Sequence, residues 1–120
     1  MTNKFCTTLT CSKDNTDRAT MAFVTANAAV ACEQEALVFL TVEGVRLSEA
    51  GYADDIHEEG LAPLKELMTS FVEAGGKIWA CTLCFQKRGL DADKLVPGCT
   101  VVGTAKLVEF LAGGTPSITF

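Results

Sequence analysis

Apolar positions along the chain repeat with two different periods, and the two alternate. Phe5 to Cys11 alternates with threonine, the period-two pattern of a strand. A polar turn follows at 13–17, rich in residues that cap helices. Ala19, Ala22, Phe23, Ala26, Ala29 and Val30 then recur at helical spacing, and their small size suits close packing on a sheet. Ala36 to Val42 is a continuous apolar run, which predicts a strand buried on both faces. A weakly patterned stretch from Glu43 to Glu59 predicts a short helix and then an exposed loop. Pro63 fits the first turn of a helix carrying Leu64, Leu67, Met68, Phe71 and Val72, which Gly75 and Gly76 end. Lys77–Cys81 predicts a third strand, and 82–88 a helix stopped by Gly89. Leu95–Gly98 predicts a turn and Cys99–Val102 a fourth strand. Thr104 is placed as the cap of a helix through Leu107, Val108 and Leu111, and Ser117–Phe120 as a final strand.

This βαβαβαβαβ order predicts an α/β fold: a mostly parallel five-stranded sheet with right-handed crossovers and helices on both faces. Periodicity leaves the strand order open. At 120 residues, with 48% hydrophobic and 21% charged, residues 1–120 read as a single domain with an ordinary globular core. The net charge of −5 argues against nucleic acid and anionic membrane surfaces as partners. No run approaches the ~20 apolar residues of a spanning helix. The opening Met1–Thr8 lacks the layout of a signal peptide. A soluble, cytoplasmic protein is expected.

Six cysteines are many for this length. In a reducing compartment they are expected as free thiols, some of them merely small buried hydrophobes. The sharpest feature is Cys81-Thr82-Leu83-Cys84, at the junction of the third strand and the next helix. In open α/β sheets, ligands collect beyond the carboxyl ends of strands. A helix starting near Thr82 would set Cys81 at its N-terminus, where unpaired N–H groups favour the thiolate, the nucleophilic form. Lys87 and Arg88 add positive charge, and Cys84 lies on the same helical face as Cys81. The competing readings are two packed, inert thiols or a CxxC dithiol redox pair. A zinc site is disfavoured: no second CxxC is present, and His57 has no His partner at ligand spacing. No Gly-rich phosphate loop follows the first strand.

The segment from Cys81 to Gly89 resembles the cysteine segment of the DsrE/DsrF-like proteins, in which a cysteine after strand three precedes a helix ending in a basic residue and glycine. Asp17-Arg18-Ala19, Val38-Phe39-Leu40 running into Glu43-Gly44-Val45, Gly75-Gly76-Lys77-Ile78 and Val101–Val108 extend the likeness over nearly the whole chain. The resemblance implies a three-layer α/β/α sandwich that assembles as a homotrimer or homohexamer. In the sulfur-relay members it also implies a persulfide-carrying cysteine, here Cys81. It further implies donor and acceptor proteins for sulfur. Cys84 departs from the single-cysteine relay pattern: it either resolves the persulfide as a disulfide or is structural. The expected function is thiol-based sulfur transfer without metal or organic cofactor. The alternatives are a noncatalytic oligomeric binding module with structural cysteines and a dithiol redox protein.

Other residues carry weaker signals. Cys11 ends the first strand at the same sheet edge as Cys81 and is a candidate pocket residue. Glu43 either lines the pocket or caps the following helix. Thr82, Lys87 and Arg88 are candidates for partner or substrate contact. His57, with Asp54, Asp55, Glu58 and Glu59, reads as a solvated acidic loop rather than a metal or acid–base cluster. Cys6, Cys32 and Cys99 read as packing residues, and Trp79 as core or interface.

Overall fold

A computed structural model describes residues 3–120; Met1 and Thr2, which open the stretch read above for a leader, lie outside them. Five strands and four helices follow in order: β1 (Lys4–Leu9), α1 (Thr16–Ala31), β2 (Glu35–Leu40), α2 (Leu64–Glu73), β3 (Lys77–Cys81), α3 (Thr82–Lys87), β4 (Cys99–Val102), α4 (Thr104–Leu111) and β5 (Ser117–Thr119). A 3₁₀ segment at Val42–Ser48 follows β2, and a shorter one at Ala92–Lys94 precedes β4. The sheet order is β4-β3-β2-β1-β5, and every pairing is parallel. No described helix is long and apolar enough to cross a membrane.

The alternation of side chains across the sheet sorts the core into two layers. Ala36, Val38 and Leu40 of β2 pack with Leu9 and Ile78 beneath α1 and α2. The alanines of α1 let that helix lie close to the sheet, and Phe23 meets Phe71 of α2 edge to face at 6.0 Å. Leu37 and Phe39 face the other way, with Cys6, Cys81 and Val102, beneath Phe110 of α4. A third small cluster joins Phe85 of α3 to Val45 and Ala80. The layer under α4 is the thinner. Trp79 there is only partly buried, and Val108 stays 65% exposed.

Several boundaries differ from expectation, each for a local reason. β1 and β2 stop at Leu9 and Leu40, two residues early. Thr41 N–H still reaches the Leu9 carbonyl, but Val42 adopts φ +54 and turns the chain into the 3₁₀ segment. Pro63 stands immediately before α2 rather than in its first turn. Gly103, not Thr104, precedes α4, and no side chain caps it. Cys32 follows the last turn of α1 and is exposed, so it is not a packing residue.

The 3₁₀ segment lies very close to the end of β1. A Cβ on Gly44 would sit 2.2 Å from the Leu9 carbonyl oxygen, so only glycine fits without displacing backbone. Gly44→Ala is expected to destabilise the protein by about 1–3 kcal/mol. The midpoint of urea unfolding checks this, and an unchanged midpoint would show that the segment moves freely.

Candidate functional site

The carboxyl ends of β2 and β3 lie side by side, with Leu40 in register with Ala80. This brings Thr41 and Val42 against the first turn of α3. Cys81, the last residue of β3, is 3% exposed and packs in the α4-side layer with Cys6 and Phe39. Cys84 is partly buried at the seam between that layer and the Phe85 cluster. All six cysteines are free thiols.

Hydrogen bonds converge on Cys84. Its Sγ lies 3.2 Å from the Val42 backbone nitrogen, which donates, and 3.3 Å from the Thr41 hydroxyl. Partial burial opposes ionisation of Cys84. Hydrogen bonds from Thr41, from Val42 N–H and from the Cys81 thiol, together with the Arg88 charge, outweigh it and bring the thiol below its ordinary value. The sequence reading assigned anion stabilisation to the start of α3. That helix has only six residues, and the donors at Cys84 come from the turn just beyond β2.

Val42 supplies its N–H from an unfavourable conformation. A β-branched residue at φ +54 is an outlier, and with the side chain 48% exposed, burial does little to offset the strain. The turn is held by Thr41 N–H to the Leu9 carbonyl and by Gly44 N–H to the Thr41 carbonyl, each 3.0 Å.

Glu43 and Arg88 meet here as well. Arg88 Nε donates to Glu43 Oε2 at 2.7 Å, and Arg46 Nε to Oε1 at 2.9 Å. Arg88 Nη1 also donates to the Cys84 carbonyl at 3.2 Å, which ties the charge to the α3 backbone. Hydrogen bonds from Arg88 and then Arg46 hold the Glu43 carboxyl below its usual range. Glu43 thus holds both arginines from the first turn of the 3₁₀ segment.

The other candidates are dispersed. Cys11 is buried in the α1/α2 layer, apart from the clusters that hold Cys81 and Cys84. Thr82 is partly buried beside Cys81, and Lys87 is exposed at the end of α3. His57 Nε2 bonds the Leu61 carbonyl at 2.8 Å. Asp54 and Asp55 pair with Lys65 and Lys13, and Glu58 accepts from Thr16, so the acidic loop does not converge. Burial pushes the Cys99 thiol up to about 12 and raises that of Cys6 too. A groove of about 390 Å³ floored by Met68, Val72 and Ile78 lies between α2 and the segment before β4, and no cysteine lines it. Thr41, Val42 and Arg46 were missed in the sequence. Glu43-Gly44 marked the place, but nothing in a valine announces a left-handed turn.

A model of the DsrE/DsrF-like family matches residues 3–120. The chain belongs to the DsrE/DsrF-like family. Among solved structures, YchN of E. coli superposes with a TM-score of 0.82 at 16% identity, covering 100% of both chains. MTH1491 of Methanobacterium thermoautotrophicum, titled a protein of unknown function, gives 0.73 at 16% identity, again over 100% of both. These likenesses show a shared DsrE-like fold. An uncharacterized protein of Methanocaldococcus jannaschii, MJ0760, is 24% identical over 98 residues, 82% of this chain. The match spans 36% of that protein's length, so the relative is much the longer.

On this DsrE-like scaffold the thiolate is stabilised by two specific donors, which yields a pH prediction. Alkylation of Cys84 by iodoacetamide should have its midpoint below the ordinary thiol range, with the rate falling as pH drops through it. Thr41→Val removes a donor to the anion and should move the midpoint upward. Cys99 should stay unmodified across the same range. The rates are read by peptide mass spectrometry, and an unshifted Thr41→Val midpoint would remove the hydroxyl from the account.

Proposed function

We propose that this protein is a thiol-based sulfur carrier that works through the Cys81–Cys84 pair. The observation that carries the reading is the convergence of Val42 N–H and the Thr41 hydroxyl on a partly accessible sulfur beside a second free thiol. Membership of the DsrE/DsrF-like family supports a sulfur-relay role. A protein thiolate attacks the outer sulfur of a donor persulfide, R–S–SH. The donor S–S bond breaks, R–S⁻ leaves, and the protein holds –S–SH. An acceptor thiolate then attacks that outer sulfur, takes it as its own persulfide and returns the protein thiolate. Sulfur supplies every bond and electron in both steps, so the chemistry calls for no metal or organic cofactor.

Arg88, fixed by Glu43, keeps positive charge near the developing sulfur anion. Lys87, exposed and without an ion pair among the described residues, is available to an acidic donor or acceptor protein. A reducing cytoplasm suits the free thiols. Denaturing intact mass after treatment with glutathione persulfide tests the reading on wild type and on the double variant Cys81→Ser/Cys84→Ser. Sulfur uptake, seen as one added sulfur or as its product, a new disulfide, is expected in wild type and absent in the double variant. No change in wild type would leave the noncatalytic binding module as the better reading.

Assembly is proposed alongside. Leu83 at 69% and Val108 at 65% are large apolar side chains left in solvent, on helices that cover the sheet thinly. A homotrimer or homohexamer would cover them. Light scattering should report three or six times the chain mass of 12.7 kDa, and Leu83→Glu with Val108→Glu should lower it. A monomer at working concentration would overturn this part.

A further inference from the structure

The two cysteines of the pair are not equivalent, and their surroundings assign an order to them. We infer that Cys84 is the thiol that takes sulfur from the donor, and that Cys81 is the resolving thiol that expels it as sulfide. This rests on the sulfur-handling reading above and reverses the roles carried over from the family resemblance, which put the persulfide on Cys81.

Access comes first. An incoming persulfide must reach the attacking sulfur in line with its S–S bond. Cys81 is 3% exposed, sealed between the sheet and α4, whereas Cys84 is partly open at the seam of two clusters. Activation comes second. The cradle of Val42 N–H, Thr41 hydroxyl and the Arg88 charge is built around Cys84 Sγ. The strained Val42 backbone is part of that cradle, and strain maintained at one N–H points to a role for that N–H.

The third observation is the packing of the two residues together: Cys84, in the first turn of α3, packs against the buried cluster that contains Cys81, the residue at the head of that helix. This sets Cys81 beside Cys84, whose Sγ becomes the inner sulfur once Cys84 carries a persulfide. An attack from that position breaks the inner-to-outer S–S bond. In the first step Cys84–S⁻ takes the outer sulfur of R–S–SH and releases R–S⁻. In the second, the Cys81 sulfur bonds to Cys84 Sγ, the outer SH departs with the bonding pair as HS⁻, and the proton released by Cys81 converts it to H₂S. The products are one Cys81–Cys84 disulfide and one sulfide. The sulfane sulfur is reduced and the two thiols are oxidised. An external dithiol restores the pair and completes a cycle. An acceptor thiol that arrives before Cys81 attacks diverts the same persulfide into transfer, so the burial of Cys81 sets the balance between carriage and release.

The test uses the full chain, glutathione persulfide as donor, denaturing intact mass and a sulfide-specific electrode. Wild type should release about one sulfide per chain and lose two hydrogens, and dithiothreitol should make the release continuous. Cys81→Ser should keep one added sulfur and release no sulfide above the donor background. Cys81→Ala gives the same readout if serine is not tolerated in that buried place. Cys84→Ser should neither gain sulfur nor release sulfide. Thr41→Val keeps both thiols and should slow sulfur uptake at neutral pH several-fold, with recovery at higher pH. Stable sulfur on Cys84→Ser with none on Cys81→Ser would overturn the assignment and leave the carrier reading standing. A wild-type chain that gains neither sulfur nor a disulfide would overturn both.

Discussion

The turn that follows β2 presses against the end of β1, and the geometry of the thiol pair descends from that contact. With no side chain at position 44, the 3₁₀ segment lies against the Leu9 carbonyl and shares the hydrogen bonds that end both strands. The chain can make this tight entry only by bending at Val42, which places the residue in the left-handed region and aims its N–H across the sheet toward α3. The neighbouring Thr41 then lies beside the same sulfur. Backbone packing on one strand pair thus organises the electrostatics of a side chain on the next. The strain at Val42, of order 1–3 kcal/mol for such a conformation, is held by the hydrogen bonds of Thr41 and Gly44 on either side rather than by burial of the valine.

The charges around this turn perform a second task. Glu43 binds two arginines at once, so a carboxylate in an acidic protein orients positive charge instead of repelling a sulfur anion. Arg88 is 12% exposed along its side chain, and this limits how far solvent screens it. Elsewhere on the surface, Glu35, Asp54 and Asp55 pair with Lys77, Lys65 and Lys13.

Much of the architecture was legible because it follows from periodicity. The alanine stripe of α1, the apolar run of β2 and the paired glycines after α2 each require little beyond side-chain size and backbone freedom. The type and order of the elements hold, and the sheet is wholly parallel. The strand order was not legible, because it depends on contacts far apart in the chain. The site was half legible. Cys81, Cys84, Glu43 and Arg88 do come together, since β3 and β2 are neighbours and both end there. Cys11 does not join them: it sits in the layer on the other side of the sheet. What the sequence concealed was which thiol receives the donors, because those donors are a backbone N–H and a threonine in the turn that follows another strand. The boundary of β2 was misplaced for the same reason, as valine is ordinarily a strand residue and here begins a turn.

The chain contains one tryptophan, Trp79, two residues before Cys81 on β3. It is edge-on to Phe110 at 5.7 Å, with the Lys106 ammonium 5.7 Å from its ring, and solvent still reaches it. The indole therefore belongs to the same layer as the buried thiol and to the face that α4 covers incompletely. Its fluorescence is a spectroscopic reporter built into the molecule. Emission follows the hydration of that face, so burial of α4 against another surface moves it toward the blue and loosening of α4 moves it toward the red, with no label added to any cysteine.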